Sequence, residues 1–235
     1  ISKLGCWGRR RCYNRPVLEE AIPDTGLHES QRHLRLIQVL GVAQDASCAL
    51  ELHSNPLCPD DFNRLVERGS VLAHISTSQP KKEWPIEFWR DLHLKASRAG
   101  LPIVFSSGPS EREQAILETL GKLEPAAQIL KRIASLDLYL SVIAQTRVFI
   151  SGDTGPLHFA AGLGVPTLSL FAATDAYRWA PLGKPHRCLI GAVCHCSGHA
   201  HVCTHPEPCI RTISVDSVWK ELQDLLHTIN QPSHE

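Results

Sequence analysis

Methionine is absent from all 235 residues, position 1 included. A chain of this length should carry a few. The sequence is therefore expected to be a piece of a longer chain, or one from which residues have been lost. An excess of charge of one sign is also missing: 24 Lys and Arg stand against 24 Asp and Glu. That balance gives no electrostatic footprint for nucleic acid or for a charged membrane surface. No stretch approaches the roughly 18 consecutive apolar residues of a membrane-spanning helix. The opening segment, ISKLGCWGRRRCYNRP, is basic and has no apolar core, so it does not read as a signal peptide. What the chain does hold is cysteine, nine in all. The number is odd and the residues gather late in the chain. This favours reduced thiols in a cytosolic protein over a disulfide framework.

The length suffices for one large or two small domains. Residues 1–29 form a basic, aromatic segment around Trp7, Arg9, Arg10, Arg11, Tyr13, Asn14 and Arg15, a solvated edge or a surface for an anionic acceptor. His28 to Val42 has a helical apolar face (Leu34, Leu36, Ile37, Val39, Leu40) closed by Gly41. Gln44 to Arg68 is polar and interrupted by proline, as a connection between domains would be.

From Ser70 onward, short apolar runs alternate with helical patterns. Strands are expected at Val71–Ile75, Leu101–Phe105, Ile129–Leu130, Arg147–Ile150 and Thr167–Phe171. Helices are expected from Trp84 to Ala99, Gly108 to Leu120, Ser135 to Gln145, Thr154 to Leu163 and Ser214 to about Asn230. The stretch from Ala172 to Pro185 reads as a loop. Such alternation defines an α/β class with a parallel sheet covered on both faces. The expected division is residues 1–69 as part of one domain and its connection, and 70–230 as a second domain.

Ligands of such sheets sit beyond the carboxyl ends of the strands. The rule sets three polar loops on one rim: Ser76–Lys82, Ser107–Glu111 and Asp153–His158. The last belongs to VFISGDTGPLHFAAGLGVPTLSLF, a strand–turn–helix–turn–strand unit. Its helix start is either an anion seat or an ordinary crossover whose polar residues only cap the helix. Lys82 could reach a phosphate as a point charge, with Thr77 and Ser78 offering hydroxyls, or it is a solvated surface lysine. Glu111 could accept from ribose hydroxyls or simply favour the helix dipole. Asp153 next to phosphate needs a metal, a sugar hydroxyl or a backbone amide as partner. His158 is a ligand contact or a packed core histidine. Farther on, Cys194, Cys196, Cys203 and Cys209 lie among four histidines. They are candidate zinc ligands, although C-x-C-x6-C-x5-C is not a standard finger spacing.

These motifs resemble the bacterial heptosyltransferases, glycosyltransferase family nine. SGDTGPLHFAAGLGVPTLSLF, the pairing of TSQPKKEWPIEFW with GPSERE, LHESQRHLRLIQVLGV and the late PEPCIRTIS carry the resemblance over nearly the whole chain. It implies a GT-B enzyme: a Rossmann-like C-terminal donor domain with a parallel sheet, plus part of an N-terminal Rossmann-like domain. It implies inverting, metal-independent transfer of a heptose or another sugar from a nucleotide diphosphate, ADP-heptose above all, to the core or lipid A of lipopolysaccharide. No cofactor is implied, and the place is cytoplasmic, at the inner face of the inner membrane with peripheral contact. By position, Thr77, Ser78 and Lys82 would contact the donor phosphates and Glu111 the ribose. Asp153, Thr154, Gly155 and His158 would surround the diphosphate and sugar, with Lys82 and Asp153 in the catalytic roles. The family's first strand and glycine-rich loop, which supply the general base, have no counterpart here. A donor-binding domain without turnover and a zinc-dependent interaction protein are the alternatives.

Overall fold

The computed structural model describes residues 26–37, 40–41, 50–54, 69–172, 174–183, 185–192 and 208–231. The chain forms two compact units, Ile1–Ala49 with Tyr177–Trp179, and Leu50–Ala176 with Ala180–Glu235.

Within the first unit the described element is α1 (Glu29–Ile37), shorter than the helix expected there because Gln38 and Val39 lie outside the described residues. Glu29 opens it and accepts from Arg178 at 2.6 Å. Among the described residues, no helix is long and apolar enough to cross a membrane.

The second unit holds one six-stranded parallel sheet in the order β3-β2-β1-β4-β5-β6. The strands are β1 (Val71–His74), β2 (Ile103–Ser106), β3 (Gln128–Ile129), β4 (Val148–Gly152), β5 (Thr167–Phe171) and β6 (Arg187–Ile190). Between them run α2 (Ile86–Arg98), α3 (Glu111–Leu123), α4 (Leu136–Ala144) and α5 (Gly155–Gly162). The final α7 (Val215–Asn230) completes this unit, whereas the short α6 (Ala176–Trp179) has its last three residues in the first unit.

Strand residues alternate between two cores, as a pleated backbone requires. Val71, Ala73, Ile103, Phe105, Val148 and Ile150 face α2, α3 and α7, meeting Trp89, Leu92, Leu117, Leu120, Val218 and Leu222. Leu72, Val104 and Phe149 face the opposite way, toward Val142 and Ile143 of α4 and Ala160 of α5. The helix stops foreseen at glycine are present: Gly100 and Gly164 take φ of +69° and +74°, which residues with a Cβ adopt only at a cost.

Two elements were not anticipated. Strand β6 lies at the sheet edge, and its RCLI segment runs exposed, half-buried, half-buried, exposed. That pattern lacks the apolar signal by which a buried strand is recognised. Helix α6 is a single turn inside the expected 172–185 loop.

The order of strands reverses at one place. From β1 the chain steps outward to β2 and β3, then returns to lay β4 against the other side of β1 and continues outward through β5. A crevice opens between the loops that leave β1 and β4, the usual ligand position in a doubly wound sheet.

Candidate functional site

The loop leaving β1 begins with Ser76 and Thr77, both buried, and includes a 3₁₀ turn at Pro80–Lys82. Trp84 fixes its far end. Its indole Nε1–H donates to the Ile213 carbonyl at 2.8 Å, and its ring meets Trp89 edge-on with centroids 4.8 Å apart. The loop closes onto β4: a Cβ added to Gly152 would lie 3.2 Å from the Lys82 carbonyl oxygen and 3.3 Å from Thr77 Cγ2. Glycine there permits the close approach.

That approach brings two expected site residues together. Lys82 Nζ donates to Asp153 Oδ2 at 2.6 Å, with side chains 17% and 13% exposed. The partner of Asp153 is thus the ammonium of Lys82, and not one of the three that the sequence suggested, a metal, a sugar hydroxyl or a backbone amide. Thr154 follows as the N-cap of α5 with extended backbone, but its hydroxyl does not cap the helix. Thr154 lines a cavity at this place. The helix start offers fewer amides than expected, since Pro156 has no N–H and Leu157 N–H is bonded to the Thr154 carbonyl at 3.1 Å. Gly155 is exposed, and His158 lies partly buried one turn into α5.

The other expected residues are placed differently from one another. The Thr77 hydroxyl donates to Gln79 O at 2.7 Å and accepts from Gln79 N–H at 3.1 Å, while Thr77 N–H donates to Glu83 Oε1 at 3.0 Å. Its hydroxyl shapes the turn, and Ser78 beside it is exposed. Arg112 of α3 clasps the same loop, donating to Glu83 Oε1 at 2.9 Å and to the Thr77 carbonyl. Glu111 is exposed at the first position of α3 and lies outside the cavity lining.

A cavity of about 260 Å³ is lined by His74, Gly108, Glu113, Tyr139, Phe159 and Thr154, the residue that follows Asp153, among others. The carboxylate on it is Glu113, two residues beyond the expected Glu111. Ser110 and Glu113 form the S-x-x-E capping pair, a signal visible in the sequence. Ser110 Oγ accepts from Glu113 N–H at 3.3 Å and donates to Glu113 Oε2 at 2.6 Å. Ser76 Oγ donates to Glu113 Oε1 at 3.0 Å. Burial alone would raise the Glu113 carboxyl, but these hydroxyls and the His74 ring hold it below its ordinary value.

Behind Glu113 stands a buried polar group that the sequence did not reveal. His74 ends β1, where its Nδ1 lies 2.7 Å from Tyr139 Oη and 3.3 Å from Ser106 Oγ. Its Nε2 makes a longer contact of 3.4 Å with Ser76 Oγ. The ring also stacks near Phe149, with centroids 6.3 Å apart. Burial drives the His74 pKa down to about 4, partly opposed by the Glu113 charge, and pushes the Tyr139 phenol well above its usual range.

Among the described residues no group of three metal-ligating side chains comes together. Of the candidate zinc ligands, Cys194, Cys196 and Cys203 lie outside the described residues. Cys209 is partly exposed in a 3₁₀ turn, Cys209–Thr212.

Fold and site together define an α/β domain with a doubly wound parallel sheet, and with an ammonium and a carboxylate set at the reversal of strand order. Comparison with known proteins agrees. The chain belongs to glycosyltransferase family 9 (heptosyltransferase), whose family model matches residues 13–205. It is 40% identical over 106 residues to lipopolysaccharide heptosyltransferase 1 of Pseudomonas aeruginosa, covering 45% of this chain and 29% of that protein. It is 25% identical over 167 residues to lipopolysaccharide heptosyltransferase 3 of Escherichia coli, covering 68% and 48%. The chain thus spans about a third to a half of the length of these curated relatives. Among solved structures, the glycosyl transferase family 9 protein of Veillonella parvula aligns with a TM-score of 0.76 at 18% identity, over 94% of this chain and 65% of that one. Escherichia coli heptosyltransferase WaaC, solved with ADP-2-deoxy-2-fluoro heptose, aligns at 0.63 and 20% identity, over 90% and 59%. These likenesses establish the GT-B family fold.

Proposed function

We propose that residues 70–230 form the donor half of a sugar transferase, and that residues 1–69 belong to its acceptor-side domain and connection. The reaction is inverting transfer of a heptose from a nucleotide diphosphate, ADP-heptose in the first instance, to a lipopolysaccharide core acceptor. The observation that carries this reading is the Lys82–Asp153 pair at the strand reversal, together with a cavity lined by Glu113 and Thr154. Relatives named as lipopolysaccharide heptosyltransferases, and a fold neighbour holding an ADP-heptose analogue, supply the substrate class.

In this reading the nucleoside occupies the cavity, with Phe159 and Tyr139 as its aromatic edge and Thr154 turned toward the phosphates. An acceptor hydroxyl attacks the anomeric carbon while its proton passes to a general base that the described residues do not supply, and the bond from that carbon to the diphosphate oxygen breaks. The electron pair stays on the diphosphate. Lys82 meets the charge that develops there, which is where a fixed cation lowers a barrier most. Asp153 holds the ammonium in place before the donor arrives. Ser78, Gly155 and His158 lie around the diphosphate and sugar, Thr77 shapes the loop that presents Lys82, and Glu111 stays at the outer rim. The reaction needs no cofactor. Its place is the cytoplasmic face of the inner membrane, where the lipid-linked acceptor is reached by peripheral contact.

Isothermal titration with ADP and ADP-heptose tests the reading. Saturable binding of both at one site supports it. Absence of binding at millimolar ligand rejects it.

A further inference from the structure

Lys82 and Glu83 are chain neighbours of opposite charge whose side chains have different destinations. Lys82 reaches across to Asp153, at the start of the loop after β4. Glu83 turns back on its own loop, where its Oε1 accepts from Thr77 N–H at 3.0 Å and from Arg112 Nη1 at 2.9 Å. The second terminal nitrogen of Arg112 donates to the Thr77 carbonyl. Four side chains of alternating charge therefore tie three loops of the rim together. Asp153 follows β4, Lys82 and Glu83 follow β1, and Arg112 stands in the first turn of α3 after β2.

The backbone sets the need for this clasp. The parallel ladder between β1 and β2 extends to Ile75, whose N–H donates to Ser106 O at 2.9 Å. Thr77 lies beyond it and is buried, so its N–H and carbonyl must find partners away from water. Glu83 takes the first and Arg112 the second, and one ion pair closes a ring over residues 77–83. An exposed ion pair contributes little by itself. This one differs, because the Glu83 side chain is 14% exposed and its bonded oxygen also serves a buried amide. The partner must be a planar fork to meet a carboxylate and a carbonyl at once, which arginine provides and lysine does not.

We propose that Glu83 and Arg112 are positioning residues for Lys82, whose clasp fixes the loop so that the ammonium stays in place when an incoming diphosphate displaces Asp153. This inference rests on the nucleotide-sugar reading above. Before the donor arrives, Asp153 orients Lys82 directly. Once that carboxylate is displaced the clasp still holds, because its anchors are Thr77 and α3 and do not include Asp153.

The test measures ADP dissociation constants on the full chain at fixed ionic strength, for Glu83→Ala and Arg112→Lys with and without Lys82→Ala. Glu83→Ala should weaken ADP binding by about fivefold or more in the wild-type background, and by less than about twofold beside Lys82→Ala. The sign is informative: a carboxylate acting only through its charge would repel the diphosphate, and its removal would tighten binding. Arg112→Lys keeps the charge but loses the fork, and should weaken binding to a similar degree. The double variant Glu83→Ala/Arg112→Lys should be no weaker than either single variant, because the two residues form one clasp. A thermal melt establishes that each sample is folded, and Arg112→Lys, at a 42% exposed position, decides the matter if Glu83→Ala does not fold. Unchanged or tighter binding in folded Glu83→Ala, or an Arg112→Lys constant within about twofold of wild type, overturns the inference and leaves the nucleotide reading intact. Equal losses with and without Lys82 also overturn it, since a general loosening does not act through the ammonium. A wild type that does not bind ADP overturns both.

Discussion

Lys82 and Asp153 are 71 positions apart in the chain, yet their side chains meet at 2.6 Å across the reversal of strand order. The pairing follows from topology. Lys82 lies in the loop after β1, Asp153 begins the loop after β4, and those strands are neighbours with His74 opposite Ser151. The pair is partly shielded, so the ammonium is already oriented, and a diphosphate that reaches it exchanges one anionic partner for another.

Removal of that cation should weaken nucleotide binding. Lys82→Ala is expected to raise the dissociation constant for ADP by about 10- to 100-fold, the usual worth of a hydrogen bond to a charged group. Lys82→Arg retains the charge and should stay within about tenfold of wild type. Titration calorimetry at fixed ionic strength measures both. An unchanged constant for Lys82→Ala would refute the role of Lys82.

Two carboxylates two positions apart should behave differently. Glu113→Gln is expected to weaken ADP binding by about tenfold, because the neutral amide presents one acceptor instead of two and loses the charge. Glu111→Gln, at an exposed position off the cavity, should change it by less than about twofold. Equal losses from the two variants would contradict the placement of Glu113 on the pocket.

The close packing at Gly108 makes a separate prediction. In Gly108→Ala the new methyl would meet the end of the flexible Glu113 side chain rather than backbone. The carboxylate should swing away at little cost to folding. ADP binding should fall by about tenfold, while the melting temperature moves by only a few degrees, about what 1 kcal/mol produces. Calorimetric binding and a thermal melt on one sample decide it.

Stability should depend on pH through His74. Its folded pKa of about 4 lies below the ordinary 6.5. As pH falls through about 6.5 the unfolded chain takes up the proton first, so stability is full above that value and is lost on acidification toward about 4. The titratable groups facing the ring are Glu113 and Tyr139. Glu113, whose own pKa is lowered, adds a loss in the same direction at lower pH. Between pH 7 and pH 5 the His74 contribution amounts to about 2 kcal/mol. Urea unfolding at the two pH values should show that difference in the wild type and a clearly smaller one in His74→Gln. Equal pH dependence in the two proteins would contradict it.

The sheet was legible because its strands are buried on both faces and its helices stop at glycines that must take positive φ, as at Gly100 and Gly164. Strand β5 begins and ends at the residues expected, Thr167 and Phe171, since an apolar run between Pro166 and a polar loop admits little else. Strand β6 was not legible, because an edge strand with exposed ends carries no burial pattern. The loops that carry Lys82, Asp153 and Thr154 could be placed on one rim from the sequence, whereas the place of Glu113 on the cavity could not. Glu111 and Glu113 both open one helix, and only the position of Gly108 and Ser76 in space separates them. His74 was hidden for another reason. At the end of an apolar strand it reads as part of the sheet, and its hydrogen-bonding partners Tyr139 and Ser106 come from distant elements.

A crystal structure of the chain with ADP tests the central claim most directly. The account predicts the diphosphate within hydrogen-bond distance of Lys82 Nζ, at the crevice between the loops after β1 and β4, and the ribose hydroxyls on Glu113. ADP bound away from this crevice, or a diphosphate that leaves Lys82 without contact, would contradict it.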